Sequence, residues 1–199
     1  MRKFILLLGI IASCLSSFAQ PYRGISEDSI PYVNNFRMRI LKPVAFGDNA
    51  ISKDTDQNFG FGANLTLVNF KKFHFVAGAE VLSYSVTNSQ FLGRFKTIQE
   101  ARLTMQVEYE AYIKKQWRLI PLVGLAYSSF DNYKPRTGEY RGNSYFIGGI
   151  VNYGFNRDYS VSFGLNYLYA KYSIDAIASQ QSYLDSSHQL VFSLSLNFR

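Results

Sequence analysis

From Thr97 to Tyr112 the chain reads TIQEARLTMQVEYEAY, and polar and apolar residues take strict turns. Glu100, Arg102, Thr104, Gln106, Glu108 and Glu110 fall on one parity, and Ala101, Leu103, Met105, Val107, Tyr109 and Ala111 on the other. A repeat of two is the side-chain period of a β-strand. The Glu, Ala, Leu, Met and Gln content would also suit a helix, but a helix would set Leu103 and Val107 opposite Met105 and Tyr109 and split the apolar set. The segment is therefore predicted to be a strand with one charged and one apolar side.

The same template finds eight such segments: Asn35–Phe46, Phe59–Phe70, Phe73–Tyr84, Ile98–Tyr112, Trp117–Ser129, Tyr145–Phe155, Tyr159–Lys171 and His188–Phe198. At about 11 to 15 residues each is long enough to cross an outer membrane at a tilt of about 40°. The connections alternate in length. Lys71-Lys72, Ile113–Gln116 and Asn156–Asp158 are tight, whereas Gly47–Asn58, Ser85–Thr97, Phe130–Ser144 and Tyr172–Ser187 are long and polar. That is the layout of short periplasmic turns and long extracellular loops, with both termini periplasmic. A one-residue slip would turn Glu100, Arg102, Glu108 and Glu110 into lipid, where an Arg near the midplane costs about 2 to 4 kcal/mol, so register is tightly specified.

The beginning of the chain sets the compartment. Met1-Arg2-Lys3 followed by FILLLGIIASCLSSFA is a positive start and an apolar run too short to span a bilayer, which reads as a secretory signal peptide. Ser17 and Ala19 supply small residues three and one before a cut, giving a signal at 1–19 and one barrel domain at 20–199. Ile11-Ala12-Ser13-Cys14 also resembles a lipoprotein box, an alternative that would leave a lipidated Cys14. Cys14 is the sole cysteine, so cleavage after Ala19 excludes disulfides and thiolate metal sites. Loss of Arg2 and Lys3 leaves 19 basic residues against 14 acidic ones, a mild excess that gives no reason to expect nucleic acid. No later apolar run reaches 18 residues, which leaves a closed barrel as the means of spanning a membrane.

Some positions break the pattern. Pro43 and Pro121 lack a ladder donor and predict a bulge or a strand end. Lys42 falls on the lipid-facing parity, and Val76 and Leu82 fall on the inward one.

The fold class expected is all-β: an eight-stranded antiparallel up-and-down transmembrane barrel. In this the chain resembles the small outer-membrane β-barrels of the OmpA and OmpX type. The sharpest part of the resemblance is the ending HQLVFSLSLNFR, in which Phe192, Leu194, Leu196 and Phe198 alternate with small or polar residues. It is similar to the terminal-strand signal read by the barrel assembly machinery, with Arg199 added after the usual aromatic end. Phe18-Ala19-Gln20 also resembles signal endings of Bacteroidota. The resemblance implies outer-membrane lipid and lipopolysaccharide as surroundings, and assembly machinery and periplasmic chaperones as partners in biogenesis. Aromatic residues, 17% of the chain, fall near both ends of the segments, as interfacial belts would require.

Inward parity gathers Arg37, Arg39, Arg102 and Arg118 with Glu80, Glu100, Glu108 and Glu110, four of each sign. Glu108 and Glu110 lie near Arg118 across the tight turn at Lys114-Lys115-Gln116, and Arg37 and Arg39 would enter the lumen at a similar height. Buried charges must be paired or hydrogen-bonded, so the set is either an ion or solute path or a salt-bridged plug, and an eight-stranded lumen narrow enough for side chains to fill favours the plug. Small barrels include lipid A deacylases and acyltransferases, which need a Ser beside a His. Here His74 is followed by Phe75-Val76 and His188 by Gln189-Leu190, so neither carries the deacylase spacing, and no catalytic, cofactor or metal motif is expected. Tyr133, Lys134, Arg136, Tyr140 and Arg141 in the third long loop are the candidates for contact with lipopolysaccharide or an unidentified extracellular ligand. A secreted lipocalin-like barrel is the alternative fold, with its apolar residues inside.

Overall fold

The computed structural model describes residues 35–88, 96–131, 141–156, 158–173, 181 and 183–198. The expected signal segment, Arg199, and the loop residues Tyr133, Lys134, Arg136 and Tyr140 lie outside the described residues. Ten strand segments are described: β1 (Phe36–Phe46), β2 (Thr55–Gln57), β3 (Gly60–Phe70), β4 (Phe73–Val86), β5 (Thr97–Tyr109), β6 (Tyr112–Lys114), β7 (Trp117–Asp131), β8 (Arg141–Gly154), β9 (Tyr159–Ser173) and β10 (Ser186–Phe198). One short helix, α1 (Ala50–Lys53), lies between β1 and β2. No helix among the described residues is long and apolar enough to cross a membrane.

All pairings are antiparallel, and they close on themselves. β1 pairs with β3 and β10, the order continues β10-β9-β8-β7-β5, and β5 returns through β4 to β3. β2 pairs with β4 in line with β3, and β6 pairs with β7 in line with β5, so ten segments build eight walls. The result is a closed eight-stranded barrel with tight turns at one end and long connections at the other.

Burial follows parity with its usual sense inverted. Outward residues such as Phe61 and Leu103 are 67% and 65% exposed, whereas inward Arg37 and Glu108 are 1% and 0% exposed. Aromatic side chains mark both ends of the apolar band. Phe36 and Tyr159 flank Phe198, and Trp117 meets Tyr153, at the turn end. Phe46, His188 and Tyr169 gather at the loop end.

Several boundaries differ from those read in the sequence. β4, β7, β8, β9 and β10 run further toward the loop end than expected, because their added outward positions, such as Ser85, Asn143, Ser173 and Ser186, are polar and carry no alternation. The expected segment Ile98–Tyr112 divides into β5 and β6, and the turn shrinks from Ile113–Gln116 to Lys115-Gln116. Between the Glu108–Leu122 and Tyr112–Leu119 pairs, Tyr109, Glu110 and Ala111 oppose only Ile120 and Pro121. Of the bulge or strand end expected at Pro121, the structure has the bulge. In β3 the expectation of one unbroken parity fails at Leu67: the register shifts between Thr66 and Val68, after which Val68 faces Phe75 and Asn69 faces His74. A bulge inserts one residue and exchanges the faces beyond it.

Pro43 behaves as a strand end on one side only. Ala45 N–H donates to Gln57 Oε1 at 3.4 Å, so odd-numbered residues at this end of β1 aim their backbone groups at the β3 side. The β1–β3 ladder stops at Leu41–Gly60, while β1 and β10 stay paired to Phe46–His188. Pro43 therefore has no N–H where no strand receives one. Outward Lys42 directs its ammonium to Gln57 O and lies 5.1 Å from the centre of the Phe59 ring.

Inward packing is tight. A Cβ on Gly124 would lie 2.6 Å from Met105 O and 2.3 Å from the Phe146 ring. Gly124→Val is expected to lower stability by about 1 to 3 kcal/mol through overpacking, measured as a lower unfolding midpoint in detergent.

Candidate functional site: the lumen and its cap

The eight charged residues picked out by inward parity are all buried inside the barrel. Nearest the turn end, Glu110 accepts from His74 Nε2 at 2.9 Å and lies 3.4 Å from Arg118 Nε, while His74 Nδ1 meets Asn69 Oδ1. Arg37 donates from Nη1 and Nη2 to the two oxygens of Glu108 at 2.9 and 3.1 Å, and from Nε to Asn197 at 2.9 Å. Gln106 adds a donor to Glu108, and Asn197 continues the network to Asn152 and Ser160. Arg39 donates to Glu80 at 2.9 Å. Closest to the loop end, Arg102 forks onto Glu100 with two bonds of 2.7 Å and reaches Gln189, and Tyr84 donates to Glu100 at 2.6 Å.

The partners differ from the sequence reading in one respect. Arg118 meets Glu110, but Glu108 belongs to Arg37, which stands on β1, with two strands, β4 and β3, between it and β5 around the wall. Proximity along the chain pointed to Arg118. The distance across a narrow lumen decided otherwise. The interior is also not polar throughout. Leu41, Ile51, Leu82, Ile98, Phe130, Leu168, Tyr172, Leu184 and Val191 form a buried apolar cluster. A barrel of this diameter is filled like a protein core, and apolar side chains take up much of the inward space beside the polar network. Between the layers, a cavity bounded by Arg39, Glu80, Arg102, Thr104 and Asn166 measures about 10 Å³, enough for roughly one water.

The loop end is covered by residues that carried no periodic signal. Asn49 caps α1 by accepting from Ser52 N–H at 3.0 Å, and Ala50 and Ile51 are buried beneath it. Asp54, 2% exposed, ties the cap together. Its carboxylate accepts from Asn88 Nδ2 at 3.0 Å and Tyr183 OH at 3.1 Å, and its main-chain oxygen accepts from Thr87 N–H at 2.9 Å. Three of the long connections thus meet at one side chain. Burial and then the Asp54 carboxylate push the Tyr183 phenol up to about 12. Of the five loop candidates, Arg141 is described: it opens β8 and is exposed. Phe192, Leu194, Leu196 and Phe198 lie along the outer face of β10, where Phe198 packs between Phe36 and Tyr159.

No family model matches the chain, and no curated protein matches it. Among solved structures it is similar to the N-terminal β-barrel domain of Pseudomonas aeruginosa OprF, at 11% identity and a TM-score of 0.47, covering 84% of this chain and 100% of that one. It is similar to Ail, the attachment invasion locus protein of Yersinia pestis, at 10% identity and a TM-score of 0.46, covering 82% and 95%. Neisserial surface protein A gives 12% identity and a TM-score of 0.46, covering 84% and 100%.

Removing one member of a buried pair leaves the other charge uncompensated. Arg37→Ala is expected to cost about 3 to 5 kcal/mol and Arg118→Ala less, because Arg37 makes two bonds to Glu108 and Arg118 stands 3.4 Å from a carboxylate that also has His74. Adding Glu108→Gln to Arg37→Ala should recover part of the loss in thermal unfolding. Equal effects of the two Arg substitutions would contradict this ranking.

The cap should respond to alkali. The neutral phenol of Tyr183 is the form held against Asp54, so its contribution is fully present below about pH 10 and is lost as pH rises through about 12. Hydrogen exchange at Thr87 and Asn88 is expected to accelerate over that range beyond its intrinsic pH dependence, and Tyr183→Phe should show the looser cap at neutral pH already.

Proposed function

We propose that this chain is an integral outer-membrane barrel with a structural or surface-interacting role and no catalysis, its turns and termini in the periplasm and its long loops outside. The inverted burial carries the reading. Large apolar side chains surround the outside at all heights between two aromatic belts, and ionised pairs lie within. Water outside would leave that band unburied, whereas hydrocarbon covers it and the closed ladder satisfies the backbone. A lipocalin-like soluble barrel would need charges on the outer parity.

Paired charges, a cavity of about 10 Å³ and the Asp54-tied cap support a closed lumen over a conducting one. His74 uses both ring nitrogens on Asn69 and Glu110, and His188 uses Nδ1 on Tyr167, which supports a non-catalytic role for both. Outward Phe192, Leu194, Leu196 and Phe198 give β10 the face it would offer to the assembly machinery, with chaperones holding the chain before insertion. Lipid and lipopolysaccharide are then its standing surroundings, and the loops its route to any extracellular ligand.

The purified protein is expected to migrate differently in a gel with and without boiling and to give little or no steady conductance in a planar bilayer. Large, steady, ion-selective currents would put the transport reading first, and recovery in the soluble fraction would overturn the membrane reading.

A further inference from the structure

Three basic side chains stand on the outer face of adjacent strands at the loop end. Arg141 opens β8, Lys171 lies near the end of β9 and His188 near the start of β10. Arg141 pairs with Ser173 and Asn143 with Lys171, so Arg141 and Lys171 are diagonal neighbours. Lys171 pairs with Ser186 and Tyr169 with His188, so Lys171 and His188 are diagonal neighbours as well. Such positions lie about 7 to 8 Å apart, within reach of long side chains.

The line is close to level. Strands of a closed barrel tilt and their register is staggered, so positions at one height run diagonally across the paired rungs. The direction is visible at β1, whose turn end Phe36 pairs with Leu65, five positions above the turn end of β3 at Phe70. Each rung from β8 toward β3 therefore climbs, and staying level means stepping back toward the turn end at each strand. Arg141 to Lys171 to His188 takes that step twice.

The neighbours of this line suit a phosphorylated sugar with acyl chains. Asn143, Ser173 and Ser186 share its rungs and offer hydroxyls and an amide. Tyr145, Tyr169, His188 and Phe46 form one continuous aromatic row across four strands. Tyr167 OH and His188 Nδ1 share a hydrogen bond of 2.8 Å, with the rings stacked, which leaves Nε2 as the nitrogen for a ligand. The outward loop-end positions Ser83, Ser85, Thr97 and Gln99 on β4 and β5, and Ser129 on β7, are uncharged, and the acidic residue at this end of β7 is Asp131, two register positions beyond the partner of Arg141.

We infer that Arg141, Lys171 and His188 seat the phosphate of an outer-leaflet phosphorylated glycolipid, whose chains lie against the aromatic row and the apolar band. Guanidinium and ammonium groups bind phosphate by charge-assisted hydrogen bonds, and the sugar falls among the neutral donors. The inference rests on the membrane placement proposed above.

The test is native mass spectrometry of the detergent-solubilised protein with bisphosphorylated lipid A, with lipid A stripped of its phosphates, and with phosphatidylglycerol. Bisphosphorylated lipid A is expected to be held about tenfold or more tightly than either comparison lipid. Arg141→Gln with Lys171→Gln should abolish that preference, and Lys171→Gln alone should weaken it, both with the heat-modifiable migration and unfolding midpoint in detergent unchanged. Lys71→Gln with Lys72→Gln, at the opposite end, should leave the preference intact. Equal retention of all three lipids, or an unaltered preference in the double variant, would overturn the site, and retention of phosphatidylglycerol equal to lipid A would overturn the glycolipid assignment. These failures would come from a folded, membrane-inserted barrel. Loss of the membrane reading would instead appear as a chain that neither floats with outer membranes nor changes mobility on boiling.

Discussion

A strand with one face in hydrocarbon can satisfy its peptide groups only along its two edges, so the whole structure depends on the ladder closing. In this chain closure is made by its two most distant strands. β1 and β10 pair over eleven positions, from Phe36–Phe198 to Phe46–His188. Inside the same seam Arg37 donates to Asn197, and outside it Phe36 packs on Phe198. Without that seam β1 and β10 would each present a bare edge, and the lumen would have no far wall against which Arg37 could find Glu108. Closure therefore precedes the lumen network in the physical argument, because the pairs are made between walls.

Once closed, the barrel confines eight ionised groups in a space that excludes bulk water. Each alone would be costly to bury, and attraction in a low-dielectric interior offsets that cost only where geometry is good and remaining donors are occupied. Arg37 meets this condition by forking onto Glu108 and giving Nε to Asn197, and Arg102 meets it in part, forking onto Glu100 and reaching Gln189 through Nε and Nη2 while Nη1 has no hydrogen-bond partner among the described residues. Equal numbers of Arg and Glu make this set of eight neutral as a whole. The buried apolar cluster, which runs from Ile51 of α1 down to Ile120 and Ile150, packs the space beside these groups.

The face of most residues was legible in the sequence because period two leaves only two choices, and four Arg and four Glu on one parity exclude lipid on that side. Strand order followed from the alternation of short and long connections. What could not be read was any quantity that depends on how strands stagger around the wall. Pairing Glu108 with Arg37 requires the barrel's shear as well as its strand count, and nothing along the chain supplies it. Leu67 hid its bulge because both it and Val68 are apolar, so exchanging faces left the pattern unbroken. Asp54, Asn88 and Tyr183 lie in polar connections without period, and their meeting is a property of the closed end alone.

The divergence of β1 from β3 above Leu41–Gly60 shows how the same constraint is met where a ladder fails. A bare edge at this depth would leave donors and acceptors without partners. Pro43 removes one donor from that edge, and Gln57 stands in for the missing strand: its Oε1 accepts from Ala45 N–H at 3.4 Å, and its Nε2 donates to Ile51 O at 2.9 Å and Thr55 O at 2.8 Å. Lys42 closes the outer side through Gln57 O and the Phe59 ring, an arrangement that keeps a cation tolerable on a lipid-facing parity. Because Ile51 belongs to α1, the side chain that seals the wall also anchors the helix that caps the end. The gap in the sheet and the plug above it are one assembly, which explains why Lys42 and Pro43, anomalous as strand residues, sit together in the one strand whose neighbour departs.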